Sequence, residues 1–131
     1  MSAVVAPDFV LALLHRDAAG HADAAAWVQA AEEDLVTTPL ALAAIDAAAG
    51  DAAPAVREDF ARGAYLVRWW ADALDETLAV SKQRGLDLVN ASLVALAGRL
   101  RTDRVASFDP IFDKLRTPAG KSFVVLPERT R

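Results

Sequence analysis

Short apolar runs alternate with segments of helical apolar spacing along the whole chain. The apolar run at residues 4–5 ends before Pro7, and the apolar residues of 9–15 then recur every three or four positions. This pattern predicts a strand, a tight turn and a helix. The alternation continues, and it predicts further strands at 35–37, 65–69, 104–107 and 122–126 and further helices at 21–33, 39–49, 55–62, 72–83, 90–100 and 110–115.

Polar residues, proline and glycine mark the ends of several predicted helices. Thr38 is a good N-cap for a helix whose first residue is Pro39, and Asn90 is a candidate N-cap for the helix at 90–100. Gly85 lies in the C-terminal position of the helix at 72–83. Because strands alternate with helices, we expect a three-layer α/β/α sandwich with a parallel sheet of about five strands.

The composition favours one globular α/β domain over residues 1–131. The apolar fraction is 54%, much of it alanine, and the net charge is -4. Such a chain can bury a core, and its acidity argues against holding long duplex nucleic acid mainly through phosphates. Cysteine is absent, which excludes disulfides, thiolate zinc sites and a cysteine nucleophile. No basic leader or long apolar segment stands out, so we expect a cytoplasmic protein without a membrane span.

Two C-terminal segments resemble a known family. Residues 85–97 read GLDLVNASLVALA, and residues 104–109 read RVASFD. Both are similar to motifs of the PIN domain family, specifically of its VapC-like toxin ribonucleases. The N-terminal half resembles the same family more loosely, at 4–14 (VVAPDFVLALL) and 37–46 (TTPLALAAID). The resemblance covers almost the whole chain.

The resemblance implies an acidic site at the carboxyl ends of the strands, where parallel sheets bind ligands. In the family, four acids hold Mg²⁺ or Mn²⁺ for cleavage of single-stranded RNA. Their positions fall here on Ala6, Ala44, Asn90 and Asp109, so a single carboxylate remains. Ser107 matches the family hydroxyl two residues before the last acid. With so few anionic ligands, we expect a degenerate, non-catalytic PIN domain without a cofactor, which binds a protein or RNA.

Displaced acids offer an alternative. Asp8, Asp87 and Asp109 could rebuild a Mg²⁺ or Mn²⁺ site, which would make the chain an active endoribonuclease toxin of a toxin-antitoxin pair. Asp46 follows Ala44 by two residues on a predicted helix. Two residues along a helix turn a side chain by about 200°, so we expect Asp46 to face away from the strand ends. The plainer interpretations compete with both hypotheses: Asp8 and Asn90 are also good helix caps, and Asp109 suits a turn before a proline.

Two groups of residues are candidate partner-binding surfaces: a pair of tryptophans and a set of cations. Trp69 and Trp70 are adjacent on a predicted strand, so we expect them on opposite faces, either both covered or with one available to a partner. Resemblance to the family implies a homodimer, an antitoxin-like protein partner or single-stranded RNA. Six cations form either a basic rim near the strand ends or a solvated face: Arg99, Arg101, Arg104, Lys114, Arg116 and Lys121.

Overall fold

The five strands are short, and every pair of neighbours is parallel. The computed structural model describes residues 1–128. Its strands are β1 (Ser2–Val5), β2 (Asp34–Thr37), β3 (Leu66–Val67), β4 (Arg104–Ala106) and β5 (Val124–Leu126), in the sheet order β3-β2-β1-β4-β5. Val4 on the central strand is in register with Val36 on one side and with Val105 on the other.

Within residues 1–128, six α-helices cover the sheet. They are α1 (Pro7–Leu14), α2 (His21–Ala30), α3 (Pro39–Ala48), α4 (Ala53–Ala61), α5 (Ala73–Arg84) and α6 (Leu88–Leu100), with short 3-10 turns at Gly50–Ala52 and Pro110–Asp113. The predicted three-layer α/β/α sandwich with a parallel five-stranded sheet is therefore confirmed. No helix within residues 1–128 has the length and apolar character needed to cross a membrane.

Both faces of the sheet are buried, because successive residues of a strand point to opposite faces. Val4 belongs to the core cluster beneath α6, which contains Leu93 and Leu96. Val5 belongs to the other cluster, with Phe9 of α1 and Ile45 of α3. All six side chains are almost completely buried, so β1 is fully enclosed and carries the centre of the core.

Several predicted element boundaries are wrong. The helix expected at 21–33 ends at Ala30, because the backbone turns extended at Ala31. The strand expected at 65–69 is reduced to two residues, since β3 lies at the sheet edge and pairs with β2 alone. The 110–115 helix is a 3-10 turn, and the last strand begins at Val124 rather than at 122. Thr38 does cap α3, and Gly85 ends α5 in the left-handed conformation.

The single tyrosine of the chain predicts an alkaline loss of stability. Tyr65 is buried against Phe60, with ring centroids 4.9 Å apart. Burial, aided by the charge of Asp59, raises the pKa of Tyr65 to about 12. The stabilisation is complete below the unfolded pKa of about 10 and is lost as pH rises through the folded pKa. We expect the free energy of unfolding to fall by about 2 kcal/mol across this window.

Urea unfolding at a series of pH values between 8 and 12 checks this expectation. The Tyr65→Phe variant should show a flatter pH profile, and tyrosinate absorbance of the wild type should reveal the raised pKa directly, because no other tyrosine contributes. Identical slopes in the two proteins would contradict the prediction.

Candidate functional site

The sheet order places a ligand-binding edge between β1 and β4. The chain winds from β1 to β2 and β3 on one side and continues with β4 and β5 on the other. Open parallel sheets bind ligands at such a switch point, beyond the carboxyl ends of the strands. Here that edge is formed by residues 6–8 after β1 and residues 107–109 after β4. The backbone N–H of Ala6 donates to the carbonyl of Ala106 (3.0 Å), which holds the two segments side by side.

Asp8 bridges the two segments with its carboxylate. The Ser107 hydroxyl lies 3.0 and 3.3 Å from its two oxygens, and the backbone N–H of Phe108 donates to Oδ2 at 2.9 Å. Ser107 is 1% exposed, so its bond to the carboxylate replaces lost water. Asp8 does reach the strand edge, and its oxygens accept hydrogen bonds from the loop after β4. It is not the N-cap of α1, because Ala6 occupies that position.

Asp109 shapes the turn that follows β4. Its Oδ1 accepts a hydrogen bond from the backbone N–H of Ile111 (3.0 Å), and its own N–H donates to the Ser107 hydroxyl (3.0 Å). It is the N-cap of the 3-10 turn at Pro110–Asp113. The carboxylate that matches the family acid therefore acts as the cap that the plainer sequence interpretation assigned to it.

The ring of Phe108 anchors the same loop. It stacks on Phe9, with centroids 5.9 Å apart and an interplanar angle of 18°. The tip of the ring lies against Gly20, where an added Cβ would be 2.7 Å from Phe108 Cζ. Glycine is needed here because the close approach leaves no room for a side chain. The loop bearing Ser107 and Asp109 is thus held by a partly buried ring as well as by Asp8.

At the start of α6, the prediction that Asn90 is the N-cap is wrong. Asp87 caps the helix, and its Oδ2 accepts from the backbone N–H of Asn90 at 3.2 Å. The Asn90 side-chain amide donates to Oδ1 of the same carboxylate at 2.9 Å. Asp87 precedes Asn90 by three residues, which is the spacing from an N-cap to the third helical residue, so the acid takes the cap. The side chains of Asp87 and Asn90 are therefore hydrogen-bond partners of each other.

Sequence reasoning missed a buried hydroxyl pair behind this edge. Thr38 Oγ1 lies 2.8 Å from Ser92 Oγ, and both residues are fully buried. Ser92 donates to the carbonyl of Val89 (2.7 Å), so its single proton is engaged and Thr38 donates to Ser92. Thr38 Oγ1 also accepts from Ala41 N (3.2 Å). The pair joins the start of α3 to α6, and only the N-cap signal at Thr38 was visible in the sequence.

The side chains at this edge do not fit the divalent cation that the resemblance implies. Ala6 and Ala44 offer no ligand atom, Asn90 is bound to Asp87, and Asp109 caps a turn. Within residues 1–128 there is no group of three His, Cys, Asp or Glu side chains placed to hold a metal ion. Mg²⁺ needs oxygen ligands with enough negative charge to replace its waters, and this edge supplies too few.

Asp46 contributes nothing to this edge. Its carboxylate accepts two hydrogen bonds from Arg57, at 2.7 and 3.1 Å. These bonds hold the pKa of Asp46 below its usual value and raise the pKa of Arg57. The acid nearest to the empty position at Ala44 is therefore committed to α4, in agreement with the expectation that it faces away.

The two adjacent tryptophans lie beyond β3 and not on it, which corrects the expectation of opposite strand faces. Their rings are in contact, with centroids 6.0 Å apart. Trp70 packs against the α6 core and donates its indole N–H to Glu76 (2.9 Å), while Trp69 is 41% exposed. Other large apolar side chains of this stretch are exposed, and we group them with Trp69 under the name 69–88 apolar surface: Leu74, Leu78 and Leu88.

The six cations of the predicted basic rim do not all lie together. Arg104 lies at the first position of β4, at the amino edge of the sheet, and its Nε is 2.8 Å from both Glu33 oxygens. This contact raises the pKa of Arg104. Arg116 donates to the carbonyl of Gly120 (3.3 Å) within its own loop. Arg104 therefore lies away from the β1–β4 edge, and Arg116 is bonded within its own loop.

Comparisons with solved structures identify the fold. VapC20 of Mycobacterium tuberculosis, described as a sarcin-ricin loop cleaving toxin, superposes with a TM-score of 0.72 at 20% identity over 82% of this chain and 90% of that one. A chain of a toxin-antitoxin complex from Klebsiella pneumoniae gives 0.66 at 15% identity, over 83% and 88%. No family model and no curated protein sequence matches. The class is thus an open parallel α/β fold, and more particularly the fold of VapC-like PIN domains.

Proposed function

We propose that this chain is a PIN-fold protein that does not cleave RNA and acts by binding a protein partner. The observation that carries the proposal is the state of the β1–β4 edge. Two family acid positions are alanines, and the carboxylates of Asp8 and Asp109 accept hydrogen bonds from the chain itself. Metal-assisted hydrolysis needs carboxylates to hold the ion that activates water and neutralises the phosphoryl oxygens. Here the carboxylates of Asp8 and Asp109 instead accept hydrogen bonds that hold the loop after β4.

A protein partner is supported by the 69–88 apolar surface. Leu74 and Leu78 are 54% and 47% exposed and are four residues apart, so they share one face of α5. Leu88 and Trp69 add two more large apolar groups that are more than 40% exposed. Exposed apolar groups of this size are typical of protein interfaces, where tryptophan often contributes strongly. The fold's likeness to a chain from a toxin-antitoxin complex supports a partner of the antitoxin kind.

An RNA cleavage assay tests the proposal. The purified protein should leave a mixed single-stranded RNA intact with and without Mn²⁺, and millimolar Mn²⁺ should not raise its melting temperature, since a bound ion would stabilise the fold by mass action. The triple variant Ala6→Asp/Ala44→Glu/Asn90→Asp is the positive control. With its acids restored, we expect it to gain stabilisation by Mn²⁺.

Wild-type cleavage that depends on Mn²⁺ and disappears in Asp109→Ala would overturn the proposal. It would establish the endoribonuclease alternative, with Asp8, Asp87 and Asp109 as displaced ligands. Cleavage of equal rate in the wild type and in Asp109→Ala would identify a contaminating nuclease instead, which further purification would remove before the assay is repeated.

Interface variants test the 69–88 apolar surface. If a small protein is encoded beside this gene, co-expression should yield a complex with the wild type. The Leu74→Ser/Leu78→Ser variant should lose most of this complex. Its stability should be unchanged, because both side chains are exposed. Ala26→Ser/Ala30→Ser on the exposed side of α2 is the matched control. Sedimentation velocity of the same proteins tests the expected homodimer. RNA in the purified complex in place of protein would contradict a protein partner.

A further inference from the structure

A groove lies at the opposite end of the molecule from the β1–β4 edge. Two adjoining cavities of about 430 and 480 Å³ share Gly98, Arg101 and Pro118 in their walls. They lie where the C-terminal end of α6 meets the loop at 117–121 and the side of α5. Thr102, which lines the first cavity, donates its hydroxyl to the carbonyl of Ser2 (2.8 Å) at the start of β1, so the groove is at the amino edge of the sheet.

Three cations in the walls of this groove have no partner within residues 1–128. The side chains of Arg99, Arg101 and Lys121 make no hydrogen bond or ion pair there, whereas Arg57 and Arg104 are each bonded to a carboxylate. Guanidinium groups present several directed N–H donors that suit carboxylates and phosphates. The donors around the groove are therefore available to an anionic ligand.

Arg101 occupies a backbone position that favours glycine. It has φ 54° and ψ 43° in the left-handed region, and its N–H and that of Thr102 close the end of α6 on Gly98 and Ala97. Among residues 1–128 it is the one non-glycine residue with positive φ. Such conformations are costly for a residue with a side chain and concentrate at functional sites. At the mouth of the groove Arg101 presents a cation that is unpaired among the described residues, although a glycine at this position would cap the end of α6 better.

The floor of the groove is narrow and built from small residues. Gly98 allows Pro118 to approach so closely that an added Cβ would lie 2.6 Å from Pro118 Cγ. Ala97 and Ala119 line the same cavity. This floor suits an extended peptide backbone with small side chains, and the cations stand beside it.

The charge distribution of the chain supports an anionic occupant at this end. The walls of the groove carry three cations, Arg99, Arg101 and Lys121, against two acids, Asp103 and Glu76, and Glu76 already accepts a hydrogen bond from Trp70. The net charge of the whole chain is nevertheless -4, so a long polyanion is repelled while a short acidic segment meets mainly the local cations. Among the described residues no aromatic ring lines either cavity, and single-stranded nucleic acids rely on such rings for stacking.

We infer that this groove binds an extended acidic segment of a protein partner, with small side chains between its carboxylates. The inference rests on the proposed function in one respect, that the partner is a protein. Arg99, Arg101 and Lys121 would pair with the carboxylates of the segment, and Gly98, Pro118 and Ala119 would contact its backbone. The site is separate from the β1–β4 edge, and its second cavity is lined by Glu76, Ala79 and Val80 of α5, the helix that also carries Leu74 and Leu78.

Fluorescence anisotropy with a labelled peptide of alternating Glu and Ala tests the inference. The full chain should bind this probe, and Arg101→Gly and Lys121→Gln should each weaken binding about tenfold, which corresponds to one charge-assisted hydrogen bond. Arg16→Gln, which removes an exposed cation from the loop between α1 and α2, should leave binding unchanged. Arg101→Gly should also raise the melting temperature, because glycine suits the left-handed position. A structural role for the side chain would lower both quantities together.

Three outcomes would overturn the inference: absence of binding by the wild type, an equal loss in Arg16→Gln, or preference for a labelled single-stranded RNA over the peptide with the same sensitivity to Arg101→Gly. The last result would assign the groove to nucleic acid. Each is distinct from failure of the proposed function, which the cleavage assay detects. If the chain neither cleaves RNA nor binds the peptide, the proposed function stands and the inference about the groove is wrong.

Discussion

Asp8→Ala is expected to lower the free energy of unfolding by about 3 kcal/mol, because it leaves the buried Ser107 hydroxyl and the Phe108 N–H without their acceptor. The lost charge at the first turn of α1 adds to this cost. For a chain of this size the change corresponds to a drop of about 12 °C in melting temperature. Urea unfolding and a thermal melt, both followed by circular dichroism, measure it.

Asp8→Asn separates the charge from the shape. The amide keeps one oxygen that can accept from the Phe108 N–H, so we expect about half the loss of Asp8→Ala. Asp17→Ala removes an exposed acid from the loop after α1 and should change stability by less than about 0.5 kcal/mol. Equal stability of the wild type and Asp8→Ala would show that the carboxylate does not hold the loop, and it would return Asp8 to the list of free metal ligands.

Phe9→Ala is expected to be the most destabilising single change, at about 4 kcal/mol. Phe9 is fully buried between two aromatic rings: Trp27 meets it edge-on with centroids 5.6 Å apart, and Phe108 stacks on it. Truncation removes the packing of both rings and leaves a cavity that the rigid sheet cannot fill. Urea unfolding measures the loss, and intrinsic tryptophan fluorescence of a Trp69→Phe/Trp70→Phe background follows the surroundings of Trp27.

Phe9→Leu keeps the measurement informative if the alanine variant does not fold. It retains most of the apolar volume and should cost about 1.5 kcal/mol. In this variant the Phe108 loop should become less protected from amide hydrogen exchange, because its ring loses a stacking partner. A loss below 1 kcal/mol for Phe9→Ala would contradict the packing described for the α1–α2 side of the sheet.

The architecture could be predicted from the sequence because it depends on periodicity. Apolar runs at 4–5 and 35–37 are too short for helices, and the segments between them repeat at helical spacing. Alternation of the two patterns requires parallel strands with crossover helices. Local chemistry was equally readable at Thr38 and Gly85, where the cap residue acts on its own neighbours.

Boundaries failed where distant contacts decided them. The run at 65–69 contains good strand residues, yet β3 keeps only Leu66–Val67, because an edge strand has one neighbour to pair with. Trp70 then turns its indole N–H to Glu76, which a strand prediction does not foresee. At α6 the sequence offered Asn90 as the cap, whereas the helix begins at Leu88 and Asp87 caps it.

For the candidate site, the sequence by itself determined which chemistry is missing, since Ala6 and Ala44 carry no ligand atom wherever they lie. Only the tertiary structure decided what the remaining groups do. Asp8 and Ser107 are 99 residues apart in sequence, and Thr38 and Ser92 are 54 apart. Side-chain hydrogen bonds over such separations depend on the register of β1 with β4 and on the packing of α3 against α6. Neither quantity is encoded in local spacing, because each is set by how the buried faces of the sheet are filled.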